Sequence, residues 1–197
     1  MATWGAVKAR VRQAIEDTDS GAYLWPDAEL AEYLQEGLRE LGRVWPRRWE
    51  QALVGVAGQG SYALDAGARA VEGVTIGGYP VGQGHVRDIA AKGYGQRWAL
   101  VSGSLRFGNA LVGGEAIVVQ VSGLWLVPAS DAAASGVPDE GEDLIVWSAA
   151  WAALMRREVA AGKRRGSSGG VGLAASVRDR HEAARRRCQR MRSAVLG

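Results

Sequence analysis

Two histidines, His85 and His181, and one cysteine, Cys188, are the side chains of this sequence best suited to hold a metal or to act as base or nucleophile. Their placement supports neither task. No helical HxxxH pair and no cysteine-pair motif stands beside them, and a single cysteine excludes both an internal disulfide and a cysteine-built zinc site. Serines and acidic residues are plentiful, but none stands in a nucleophile elbow or a comparable catalytic order. The stretch Gly58-Gln59-Gly60-Ser61-Tyr62-Ala63 has the GxGxxA order of a dinucleotide-binding turn. Gly67 interrupts any helix after it, and no strand ending in an acidic residue follows at the required distance, so it reads as a glycine hairpin turn. Gly162 to Gly170 places glycines near a lysine without the order of a phosphate-cradling loop. The sequence therefore predicts no catalytic residue, no metal and no cofactor, and a protein that is not an enzyme.

Charge is distributed more informatively. Residues 156–197 hold 12 Lys+Arg against 3 Asp+Glu, a balance of +9, whereas residues 1–155 hold 12 against 18, a balance of −6. A basic tail on an acidic body suits contact between copies, an acidic partner, or proximity to nucleic acid. Arg178, Arg180, Arg185, Arg186, Arg187, Arg190 and Arg192 could line a phosphate backbone, although the run lacks interleaved aromatics and also reads as a solvated helix face. Nucleic-acid binding through this helix is the alternative functional reading.

The elements that carry these groups follow from periodicity. Residues 3–17 form a short helix with Trp4, Val7, Val11 and Ile15 on one face, and the turn-rich DTDSGAY segment folds it back on a second helix. That second helix, Trp25 to Pro46, opens with Pro26, Asp27 and Glu29 and carries Leu30, Tyr33, Leu34, Leu38, Leu41 and Val44 on one stripe. Short apolar runs separated by glycine turns then predict strands at 49–57, 61–64, 71–79, 97–101, 104–107 and 115–123, with a long loop at Pro80 to Gln96. The helical period returns after Pro138, with Leu144, Trp147, Trp151, Leu154 and Met155 on one face. A glycine- and serine-rich linker leads to a last helix, Leu173 to Val195, whose Val177, His181, Ala184, Cys188, Met191 and Val195 make a narrow seam.

At 197 residues and 47% hydrophobic composition the chain can bury a real core, and its longest apolar run, Leu144 to Met155, is too short to cross a bilayer. We expect a soluble α+β protein: a helical bundle (hairpin plus return helix), an inserted small antiparallel β-sheet or sandwich, and a C-terminal extension helix. The expected divisions are 1–47 hairpin, 48–127 β insertion, 138–161 return helix, 162–172 flexible linker and 173–197 basic docking helix.

This layout, with Trp25-Pro26-Asp27-Ala28-Glu29-Leu30 followed by Leu34 and Leu38, Tyr62-Ala63-Leu64, and Val137-Pro138-Asp139-Glu140 leading into Leu144-Ile145-Val146, resembles the head-tail connector (adaptor) proteins of tailed bacteriophages. The resemblance implies a structural virion protein of the neck region, assembled in the host cytoplasm. It implies a ring, commonly of twelve copies, that joins the portal protein to tail proteins and passes DNA without reading its sequence, with no membrane involved. Leu30, Leu34, Leu38, Leu41, Leu144, Trp147 and Trp151 are then expected to pack the core helices, and Trp98 and Trp125 to anchor contacts between copies. Val177, Ala184, Arg185, Cys188, Met191, Arg192 and Val195 are expected to dock on the portal or another partner, the tail helix being mobile until it does.

Overall fold

The computed structural model describes residues 2–85, 97–162 and 171–196, with side chains described to 157 in the third helix and from 173 to 192 in the last. Two compact units are present, one formed by residues 1–45 with 125–197 and the other by residues 46–124. The α+β class holds, with four helices and two small sheets among the described residues.

The helical unit contains α1 (Trp4–Ala14), α2 (Asp27–Val44), α3 (Asp139–Gly162) and α4 (Val171–Leu196). The hydroxyl of Thr3 accepts the Ala6 amide at the start of α1 and satisfies one of the free donors there. Pro26 lies one position before the first helical residue of α2, and Asp27 and Glu29 supply negative charge to that helix's first turn. Leu30, Leu34, Leu38 and Leu41 are all buried in one cluster with Trp4, Val7 and Val11 of α1. Residues 15–26 join α1 to α2, and α1 packs mainly on α3, which also receives α2 and α4, so the expected pairing of α1 with α2 gives way to a shared neighbour.

That central position explains which side of α3 is buried. Leu144, Ile145, Val146, Ala149, Ala150, Ala153 and Leu154 are enclosed, while Trp147 and Trp151 are only half-buried at the edge of the core. The face with the bulkiest residues is therefore not the deepest one; alanines let several helices approach closely, which tryptophans would prevent. Gly37 serves the same end on α2, where a Cβ would lie 2.8 Å from the carbonyl oxygen of Ile145.

The β unit contains β1 (Arg47–Val54), β2 (Ser61–Ala63), β3 (Ala68–Ile76), β4 (Tyr79–Pro80), β5 (Gly82–Gln83), β6 (Arg97–Val101), β7 (Ser104–Phe107) and β8 (Ala116–Gly123). One sheet has the order β1-β8-β3-β4 and the other β2-β7-β6-β5. Trp49 and Val71 both lie opposite Val121, which fixes β8 between β1 and β3 and turns Ile117, Val119 and Val121 to the core. Tyr62, Trp98, Leu105 and Phe107 of the second sheet enter the same core, with the Tyr62 and Phe107 rings edge-on at 5.8 Å between centroids. The expected loop from Pro80 is partly strand, since β5 pairs with β6 in parallel and Gly82 lies opposite Arg97; the remainder of that loop, residues 86–96, lies outside the described residues. The same is true of residues 163–170 of the expected linker.

Candidate docking surfaces

The seam of α4 is already occupied by this chain. Val177, Ala184 and Cys188 are 2%, 3% and 0% exposed and belong to the core that α3 organises, which corrects the expectation of a bare stripe waiting for a partner. The physical reason is that α2 and α3 leave an apolar groove, and a thin stripe suffices when the groove has two walls. Met191 remains 37% exposed, and the side chain of Val195 lies outside those described.

The arginines on either side of the seam act as clamps. Arg185 reaches Glu40 of α2 at 3.1 Å, and Arg192 donates to the Val44 carbonyl oxygen at 3.3 Å, meeting one of the free acceptors at the end of α2. On the other side Arg187 pairs with Asp143 of α3 at 3.2 Å, and the Arg180 guanidinium lies 4.9 Å from the centre of the Trp147 ring. Arg178 pairs with the adjacent Asp179. Among the described residues, only Arg186 and Arg190 of this group are exposed without such a partner. A continuous phosphate-binding ladder is thus broken up by internal pairing. Burial pushes the Cys188 thiol up to about 11, with Glu140 and Asp143 adding to the effect, and its Sγ donates to the Glu140 carbonyl oxygen. His181, half-buried beside the seam, is held below its ordinary value by desolvation, against the opposing pull of Glu40.

A second feature lies where α1 gives way to α2. Arg12 and Asp17, 7% and 3% exposed, form a buried pair at 2.6 Å. Asp17 also accepts the Leu24 amide at 2.7 Å, while Arg12 donates to the Trp25 carbonyl oxygen, pairs with Asp27 and lies 3.5 Å over the Tyr23 ring. This hub fixes a turn that leaves Leu24 62% exposed. Next to it is a cleft of about 300 Å3 lined by Leu24, Trp25, Glu29, Tyr33, Arg156 and Arg157. Burial and the hydrogen bond to Glu29 push the Tyr33 hydroxyl up to about 12, so it stays protonated. Arg156 pairs with Glu32 and Glu29, and Arg157 lies 5.8 Å over the Trp25 ring. The sequence reading missed this hub, although an arginine within the first helix followed by an acid-rich turn was a usable signal.

The third feature belongs to the β unit. Val54, the last residue of β1, is 66% exposed, and Val56 and Val112 are 51% and 85% exposed on the loops after β1 and before β8, which are bonded to each other, Gly55 to Glu115 and Gly114 back to Gly55. The Glu115 carboxylate is held below the usual carboxylate range by its own backbone amide first and then by the Val112 and Gly113 amides that donate to it, and the Tyr62 hydroxyl accepts the Val56 amide. Loops normally carry polar residues, so two braced valines there, beside Val54, form an unusual tip.

The expected interface anchors lie elsewhere. Trp98 is 3% exposed in the β core and donates to the Val81 carbonyl oxygen, and the half-buried Trp125 donates to the Trp45 carbonyl oxygen at 2.7 Å. Both indoles are spent on internal contacts. The GxGxxA stretch leads into β2 and not into a helix, so its amides cannot form a helix-borne phosphate site. Among the described residues, no cluster of three His, Cys, Asp or Glu side chains is placed to hold a metal, and no helix is long and apolar enough to cross a membrane. A family model described as SU10 adaptor protein matches residues 2–193. No curated protein shows a significant match.

Proposed function

The chain belongs to the SU10 adaptor protein family, whose members are structural phage adaptors, and from this we propose that it assembles with its own copies into a ring joining the portal to the tail. As a phage adaptor it is a virion component. The observation that carries the reading is the extent of the match, which spans both units and most of α4 and so does not depend on one short motif. In this reading the ring sits in the neck, has twelve copies by family resemblance, assembles in the host cytoplasm and passes DNA without sequence readout. The engagement of most α4 arginines within the chain supports the last point, because few remain to grip phosphates. It also weighs against the alternative of a nucleic-acid-binding protein. Contact with the portal passes from the buried seam of α4 to its outer face, where Arg186, Arg190 and Met191 are exposed.

Sedimentation of the purified chain with electron microscopy, alone and with the portal, tests this. Closed rings that attach to the portal are the expected result. A monomer that ignores the portal and binds DNA with a steep salt dependence would overturn it in favour of the alternative.

A further inference from the structure

Exposed apolar groups are found on both units, and they differ in shape. The β unit offers an exposed tip of Val54, Val56 and Val112; the helical unit offers a cleft beside Leu24, lined also by Trp25 and Tyr33, which are 4% and 5% exposed. Both are preorganised, the tip by Glu115 and Tyr62 and the turn beside the cleft by the Arg12–Asp17 pair. Preorganisation removes part of the ordering penalty that an interface would otherwise meet.

Charge distinguishes the possible occupants of the cleft. Arg156 is satisfied by Glu32 and Glu29, whereas Arg157 on the rim is exposed and has no ion pair among the described residues. A fitting occupant is therefore apolar at its end and carries one negative charge at its base. The valine tip has this pattern, with Glu115 as its only charged side chain between residues 107 and 130. A cleft of about 300 Å3 is at the small end of binding sites and suits branched side chains.

Resting on the ring reading, we propose that the valine tip of one copy inserts into the Leu24–Trp25–Tyr33 cleft of a second copy, giving the head-to-tail contact from which a ring is built. Two different patches meet in such a contact, and this is the condition for a ring instead of a twofold dimer. Apolar burial drives it, and pairing of Arg157 with Glu115 of the second copy sets register.

The test uses the full chain. Val112→Asp changes a side chain that is 85% exposed, so the fold should persist, as circular dichroism will check, while self-association weakens at least tenfold in sedimentation. Leu24→Cys chains mixed with Val112→Cys chains should give a disulfide-linked heterodimer under mild oxidation, with Cys188, 0% exposed, not competing. Assembly by V112D as readily as by the parent overturns the proposal and leaves the ring reading intact. Loss of assembly without the mixed cross-link overturns the cleft as the receptor. A parent chain that never self-associates removes the ring reading itself, and this inference with it.

Discussion

The two units solve the same burial problem differently. The helical unit draws its core from distant parts of the chain, α1 and α2 before the β segment and α3 and α4 after it, and ties its surface down with arginine pairs. The β unit is continuous in sequence, fills its core from two four-stranded sheets and leaves uncharged valines in the open. Arginine pairs thus brace the helical unit around α4 while its cleft beside Leu24 stays open, whereas the tip of the β unit presents apolar groups alone.

The strongest way to break this comparison is at Leu34, which is 0% exposed. Leu34→Asp puts an unpaired charge in the helical core and should destabilise that unit by more than about 4 kcal/mol. If the units are independent, thermal melts followed at 222 nm should lose the helical transition while the β unit keeps its own; a single, unshifted transition would refute the core assignment.

Truncation before residue 173 comes next. Because Val177, Ala184 and Cys188 complete the core, removing α4 should destabilise the helical unit by roughly 3 kcal/mol or more, as large-to-small core changes do. A truncated chain with the parent's denaturation midpoint would show that α4 is an appendage after all.

Asp17→Ala leaves the Arg12 guanidinium with Asp27 and the Trp25 carbonyl oxygen as its partners and frees the Leu24 and Trp25 amides, a loss of about 2 kcal/mol. Hydrogen exchange should quicken at the Leu24 and Trp25 amides and leave the β unit unchanged, which sharpens the claim that the hub is local.

A pH effect follows from Cys188. Its thiol is pushed up to about 11 in the folded chain, so the folded state holds its proton where the unfolded chain releases it. This contribution is fully present below the unfolded value of about 8.5 and is lost as pH rises toward 11. Denaturation midpoints should fall more steeply over that window in the parent than in Cys188→Ala.

The smallest effect is expected from the clamps. Arg185→Gln or Arg187→Gln removes an exposed pair of about 0.5 kcal/mol. The loss should shrink in high salt, and equal losses at low and high salt would rule out an electrostatic clamp.

Much of this was written in the sequence by itself. The three- and four-residue steps of Leu30, Leu34, Leu38 and Leu41 fixed α2 and its buried face, because helix periodicity is a local property. Glycine turns and apolar alternation located most strands for the same reason. The tertiary structure alone decided which face of α3 goes deepest, since close approach of several helices favours Ala149, Ala150 and Ala153 over Trp147 and Trp151. It also decided the fate of the α4 seam and the arginines around it. A one-dimensional pattern records that a stripe is apolar and its flanks are charged, but whether Glu40, Asp143 and a groove stand opposite depends on residues more than forty positions away in the chain.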